Sequence, residues 1–381
     1  MQSVFGKVVY TGTERIENAY LAFTTKGIAG VSSVQKGTLV GKYPVITPAL
    51  IDPHSHIGMA RAGEPGSEAE ANDQSESIMP LPDALDSVQM DDSAFRDAIE
   101  MGVLYSCVVP GSGNIIGGHA AVIRNYAHTT LDALIARAGI KAAFGYNPMS
   151  ASAWKGSRPT TRMGAMALLR KRFDEVSLKT AKWRAASGKK KQDIQFSSEE
   201  LILQSILDGK TRMRCHVHKN DDIAMILRLV DEYNLNVQIE HAMSVNDISV
   251  FRELKRRGIP VTYGPIDAFA YKVELKHENW RNIKFLLESG VTFGLMTDHP
   301  VTPARQILLQ TRWFTRAGMT DQQAIELVTR QNAHILGIDK FLGTLSRGKW
   351  ASFICWNGNP FDCTRYPVAV YAEGKLLFEE R

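Results

Sequence analysis

The sequence is short of cysteine, of long apolar runs and of net charge, and each shortage excludes a class of protein. Cys107, Cys215, Cys355 and Cys363 have neither zinc-site nor redox-motif spacing. They do not describe a disulfide framework; each sits in or near an apolar segment and reads as a free buried thiol in a reducing compartment. No apolar run approaches the roughly 18 residues of a membrane span, and Met1 to Tyr10 lacks a charged-then-apolar leader, so the expectation is a cytoplasmic protein with no membrane partner. The formal charge of +5 is small for 381 residues, and without a recognition motif it predicts no nucleic-acid partner. Internal repeats, low-complexity tracts and a Walker-type loop are missing too. The run Gly111-x-Gly113-x-x-x-Gly117 has the wrong spacing for a dinucleotide fingerprint and reads as a tight loop. What is left, with 44% hydrophobic and 22% charged residues, is an ordinary globular chain long enough for one large α/β domain and a smaller one.

Both ends are β-like. Short apolar runs at 8–10, 19–23 and 27–31 are matched by runs at 351–356, 368–371 and 374–378, separated by glycine, threonine and charged residues. The middle alternates between strand candidates (104–109, 141–145, 213–218, 237–241, 261–264 and 291–297) and helix-like stretches (93–101, 222–233, 246–257, 279–288 and 321–330). Ser197-x-x-Glu200 and Thr320-x-x-Gln323 are capping boxes that mark helix starts. Repeated β-then-α units imply a parallel sheet, and about eight of them imply a closed (β/α)8 barrel whose chemistry lies at the C-terminal ends of the strands. The expected division is a barrel over 47–344 and a small β-sandwich built from 1–46 plus 345–381.

The segment that organises this pattern is Leu50-Ile51-Asp52-Pro53-His54-Ser55-His56. On a strand, side chains alternate faces, so His54 and His56 point the same way and could share one ion. His216 and His218 end the run that starts at Met213, His241 ends Val237-Gln238-Ile239-Glu240-His241, and Asp298 follows Gly294-Leu295-Met296-Thr297. The separations suit whole β/α units, which brings these ionisable residues to one rim, the usual mark of a site.

This constellation resembles the amidohydrolase superfamily. The resemblance rests on Pro48 to Gly58, His216, Ile239-Glu240-His241, Met296-Thr297-Asp298-His299-Pro300 and the closing Gly343-Thr344-Leu345-x-x-Gly348-Lys349-x-Ala351-Ser352. Pro110 to Gly118 and Thr161-Arg162-Met163-Gly164 look like the imidazolonepropionase-like branch. The resemblance implies a distorted barrel with a terminal sandwich, and His54, His56, His216, His241 and Asp298 as metal ligands. It makes Asp298 the proton carrier and His241 a partner to substrate or water. Three neutral imidazoles would leave a divalent ion's charge undiluted, lowering the pKa of its water toward about 7. The expected cofactor is one zinc, with iron, manganese or cobalt as substitutes. Binuclear members bridge their metals with a carboxylated lysine or a glutamate from a middle strand; the corresponding place here is read as Tyr146, a poor bridge, which speaks against a second ion.

The implied reaction is hydrolysis of an amide-type C–N bond other than a peptide bond, in a cyclic amide or N-acyl small molecule. A hydrolytic deaminase and a catalytically silent binding barrel are the alternatives, and a homo-oligomer is left open. His218 on the face of His216 is a candidate substrate contact. His119, Arg162 and Lys272 follow loop or glycine-rich segments and are expected at the barrel mouth, where they could clamp a carboxylate or phosphate, though each alone reads more readily as a solvated charge. The basic stretch 179–191 reads as a solvated or flexible insertion.

Overall fold

A computed structural model describes residues 1–149, 158–266 and 268–380. The first four strands, β1 (Gln2–Tyr10), β2 (Arg15–Thr24), β3 (Gly27–Ser32) and β4 (Thr38–Pro48), come from the N-terminal segment. Eight more follow: β5 (Leu50–Ser55), β6 (Val103–Val108), β7 (Ile116–Arg124), β8 (Leu134–Ala143), β9 (Met213–Val217), β10 (Val237–His241), β11 (Val261–Tyr263) and β12 (Phe293–Leu295). The last three are β13 (Phe353–Trp356), β14 (Pro367–Ala372) and β15 (Lys375–Glu379).

The two termini do meet. Their seven strands form one hydrogen-bonded sheet in the order β15-β14-β13-β4-β1-β2-β3. The join is β13 against β4, with Phe353 opposite Pro48 and Trp356 opposite Val45. Aromatic packing holds the inner face: Phe353 stacks on Tyr371 with centroids 4.5 Å apart, and Phe23 meets both edge-on.

The middle strands form an eight-stranded sheet ordered β5 to β12, parallel throughout except that β7 runs antiparallel to both β6 and β8. That reversal departs from a uniform β/α alternation. In the sequence, the glycine run up to Gly118 reads as a loop and no strand is expected over 116–124, because Gly117 and Gly118 obscure a strand whose other members, Ala120 to Ile123, are fully buried. The sheet then curls until its ends meet. Ser55 bridges His299, the backbone N–H of His56 donates to the His299 carbonyl at 2.9 Å, and that of Asp298 donates to the His54 carbonyl at 3.1 Å. Asn332 closes the seam from below, its Nδ2 donating to the carbonyls of Ile51 on one edge strand (2.7 Å) and Leu295 on the other (2.8 Å).

Both capping boxes are formed, at Ser197–Glu200 and Thr320–Gln323. The basic stretch is not an unstructured insertion: it lies on the helix Arg162–Ala185 and the short helix Gly188–Gln192, with Lys179 paired to Glu200, Arg184 to Asp208, and Lys191 over the ring of Trp183. Three cysteines are buried, whereas Cys363 is exposed, because it sits in the turn before β14 and not in the apolar run beside it. Among the described residues no helix is long and apolar enough to cross a membrane.

Candidate metal centre

The site grows out of the seam. Strand alternation sends Asp52 and His54 into the barrel, and Asp52 is spent on holding the seam, accepting from the Thr297 hydroxyl and from the Thr297 N–H at 3.2 Å. Fixing Thr297 fixes its neighbour Asp298, whose φ of 52° lies in the left-handed region and turns the carboxylate toward the histidines of β5. Asp298 Oδ1 stands 3.4 Å from His54 Nε2 and 3.2 Å from His56 Nε2.

Three of the imidazoles are each oriented by an acceptor at Nδ1. His56 Nδ1 lies 2.8 Å from the Val109 carbonyl and His241 Nδ1 3.0 Å from the Gly264 carbonyl, while His54 Nδ1 makes a very short contact with the Glu240 carboxylate. A carbonyl cannot donate, so the proton sits on Nδ1 and the Nε2 lone pair of these rings faces the barrel axis. Burial keeps the rings neutral, pushing His56 down, His216 to about 4, and His218 and His241 well below the usual histidine value. Burial raises the Asp298 carboxyl, but the surrounding His241, His54 and His56 outweigh it and hold the group well below the usual carboxylate range.

Lone pairs thus face a carboxylate oxygen in a dry pocket, an arrangement that a cation completes. Two overlapping donor sets have all their ligand atoms within 4.8 Å of one another: His54, His241 and Asp298, and His216, His218 and His241. Among the described residues the Nε2 of His241 and both ring nitrogens of His218 have no hydrogen-bond partner, although both side chains are buried. Neutral imidazoles plus one carboxylate are ordinary ligands for zinc and its neighbours, so the residues fit a divalent ion.

Tyr146 does not occupy the bridging place assigned to it. It lies beyond β8 with 39% of its surface exposed, and its backbone N–H donates to Glu274 at 3.2 Å. The group that β8 sends into the site is Lys141, fully buried, with Nζ 3.3 Å from His54 Nε2. Burial lowers this ammonium to about 8 against the attraction of Glu240 and Asp298. The signal was present in the sequence as a lone lysine at an inward position of an otherwise apolar strand end. The case against a second ion, which rested on Tyr146, loses its basis.

The minor candidates separate. His218 joins the cluster, stacked 4.7 Å from His241. Arg162 is committed to a two-pronged pair with Asp222 and is not free to clamp a substrate. His119 stands on β7 among Arg137, Arg212 and Asn236, at the end of the barrel where β9 and β10 begin and not at the mouth. Lys272 does reach the mouth, but its Nζ is held by Glu274 at 2.8 Å and Asn147 Oδ1 at 3.2 Å. Glu274 itself escapes sequence reasoning, being one carboxylate in a polar loop, as does the buried row Arg214, Gln238 and Glu240. Arg214 pairs with Glu240 at 2.9 Å, and Gln238 Nε2 donates to the same carboxylate at 2.8 Å. Beside His218 and Asp298 opens a small pocket walled by Met243, Pro265, Ala268, Tyr271, Leu275 and Val301. Larger cavities of about 510 and 630 Å³ lie elsewhere, and none of the clustered histidines lines them.

Comparison with known proteins agrees with this geometry. The amidohydrolase family pattern matches residues 45–377, and the chain belongs to that family, whose members are hydrolases. A solved amidohydrolase from Thermotoga maritima superposes with a TM-score of 0.91 at 28% identity, over 100% of both chains. Amidohydrolase tasK of Hapsidospora irregularis is 25% identical over 357 residues, which is 88% of this chain but 36% of that longer protein. A prolidase solved with N-methylphosphonate-L-proline shares the fold, with a TM-score of 0.64 at 14% identity over 100% of both chains.

Proposed function

We propose that the protein is a metal-dependent amidohydrolase that splits an amide-type C–N bond in a small molecule, a cyclic amide or an N-acyl compound. One observation carries this reading: His54, His56 and His241 present Nε2 lone pairs to Asp298 in a water-poor pocket at the C-terminal rim of a barrel. His54, His56, His241 and Asp298 would hold a divalent ion, zinc or one of its first-row neighbours. A bound ion supplies Lewis-acid polarisation of the carbonyl under attack and acidifies water toward a pKa of about 7.

The protein's own groups do the rest. Asp298 Oδ1 takes the proton that water loses as its oxygen attacks the carbonyl carbon, and returns it to the nitrogen as the C–N bond breaks. His218, with both ring nitrogens free of partners among the described residues, is placed to hydrogen-bond the carbonyl oxygen as negative charge develops there. The walls at Met243, Pro265, Ala268, Leu275 and Val301, with Lys272 and Glu278 beside them, suit a substituent with an apolar part next to the scissile bond. The barrel over 47–344 is the catalytic unit, the terminal sheet its support, and the three buried free thiols fit a cytoplasmic setting.

The test is metal content together with a substrate panel. Metal-replete protein is expected to hold at least one equivalent of ion and to hydrolyse some member of a set of lactams, cyclic ureides, N-acyl amino acids and dipeptides, with chelation abolishing turnover. Less than about half an equivalent after replete expression overturns the reading, because such a ligand set binds zinc tightly. Ammonia release from aminated heterocycles, with no amide cleaved, replaces it by a deaminase. Turnover of dipeptides alone would move the substrate to peptide bonds.

A further inference from the structure

We propose that Glu274, carried by the loop after β11 and by no strand of the barrel, is a metal ligand that closes a second cation site with His216 and His218. The inference rests on the metal-centre reading above and extends it to a residue outside the strand-end set.

The donor separations are the first argument. Glu274 Oε1 lies 3.2 Å from His216 Nε2 and 3.7 Å from His218 Nε2. Ligand atoms about 2.1 Å from one tetrahedral ion are about 3.4 Å apart, which those two distances bracket. The same test is met by Asp298 against His54 and His56, at 3.4 and 3.2 Å.

The second argument is a conflict of lone pairs. Asn147 Oδ1 accepts from Lys272 Nζ at 3.2 Å, which turns the amide Nδ2 toward His216 Nε2, also at 3.2 Å. The amide can only donate, so His216 Nε2 is an acceptor, and its proton sits on Nδ1 beside Ser112 Oγ at 3.0 Å. With its one lone pair toward the Asn147 amide, His216 Nε2 has no proton to offer Glu274 Oε1, so two acceptors stand 3.2 Å apart in a buried site, a repulsive contact unless positive charge stands between them. His218, buried and with neither nitrogen hydrogen-bonded, looks into the same space.

The third is placement. Glu274 is 1% exposed, and it reaches the barrel through the short helix Val273–Leu275, while Tyr271 and Val273 just before it are left exposed. Burial raises its carboxyl, but His216, His218 and Lys272 more than offset that and keep it anionic. Lys272, 2.8 Å from the same Oε1, is the competing explanation: the pair could be a latch that needs no ion.

Metal binding distinguishes the two. Wild type, Glu274→Gln, Glu274→Asp and Lys272→Met are loaded with zinc, desalted and assayed for zinc by mass spectrometry, with affinities from chelator competition and ligand-field spectra of cobalt-substituted samples. Thermal melts of the metal-free proteins check folding. The expectation is that Glu274→Gln loses one equivalent, or binds its weakest ion at least ~10-fold less tightly, with a changed cobalt spectrum. Glu274→Asp falls between, and Lys272→Met keeps wild-type zinc content. Equal stoichiometry and affinity in wild type and Glu274→Gln overturns the proposal while leaving the hydrolase reading intact. Losses in Lys272→Met as large as in Glu274→Gln assign the pair to a latch and overturn it too. Failure of wild type to bind zinc at all sinks both readings.

Discussion

Replacing Glu240 by glutamine tests how the first centre is prepared. The carboxylate is fully buried between Arg214 at 2.9 Å, which is 1% exposed, and His54 Nδ1. A glutamine of the same shape can offer its oxygen to Arg214 only by presenting its NH₂ to His54 Nδ1, donor against donor. Either the guanidinium loses its counter-charge in a dry interior, or His54 moves its proton to Nε2 and loses the lone pair that faces Asp298. Removing one partner of a buried ion pair costs about 3–5 kcal/mol. Unfolding 381 residues carries an entropy of roughly 0.8 kcal/mol per degree, so the midpoint should fall by about 4–6 °C. Zinc affinity should drop by about 10- to 100-fold, the usual loss when the group behind a ligating histidine is removed. Calorimetry of metal-free protein measures the first and chelator competition the second. The double variant Glu240→Leu/Arg214→Met should recover much of the stability and none of the affinity. A Glu240→Gln protein that melts within about 1 °C of wild type, a cost of only ~0.8 kcal/mol, and binds zinc as tightly would refute the role of Glu240 in orienting His54.

Asp298→Asn should lower turnover of any substrate found in the panel by about 10²- to 10⁴-fold, the span of a lost general base, and steady-state assays measure it. A loss under tenfold would mean that another group carries the proton. Asn332→Ala leaves the Ile51 and Leu295 carbonyls unpaired at the barrel seam, so denaturant titration should show a cost of about 2–4 kcal/mol, and under 1 kcal/mol would mean that the seam is held elsewhere.

The strand-end histidines and Asp298 are legible in the sequence because a period of two and whole β/α spacings place them together whatever the loops do. The reversed β7 is not, since a glycine pair breaks the alternation that marks a strand. Tyr146 misleads for a related reason: position relative to a motif points to it, whereas direction into the barrel decides, and two-residue alternation on β8 sends Lys141 inward while Tyr146 lies past the strand end. Glu274 and the Lys272 pair have no such regularity to betray them, because a loop's path is fixed by packing that one sequence does not display. Arg162 is recognisable as special but not as the partner of Asp222, which lies 60 residues away.

The charge inside the barrel sets the last prediction. Arg214, Lys141 and Lys272 face Glu240, Asp298 and Glu274, three cations against three carboxylates, leaving aside Asp52, which burial raises to about 7. One dication would leave an excess of two in a space that tolerates little. Lys141 can remove that excess: the neutral amine adds CO₂ through nitrogen and releases a proton, turning one positive charge into one negative. Only the unprotonated amine has the lone pair to do so, and with its ammonium lowered to about 8 by burial the reactive fraction grows as pH rises through 8, where an exposed lysine at about 10.5 would still be almost fully protonated. Zinc loading in ¹³C-bicarbonate should therefore produce a carbamate carbonyl resonance in wild type that is stronger at pH 8.5 than at pH 6.5 and missing in Lys141→Met. A resonance that falls as pH rises, or one that survives the Lys141→Met change, would break the link between burial of this lysine and the charge of the ion beside it.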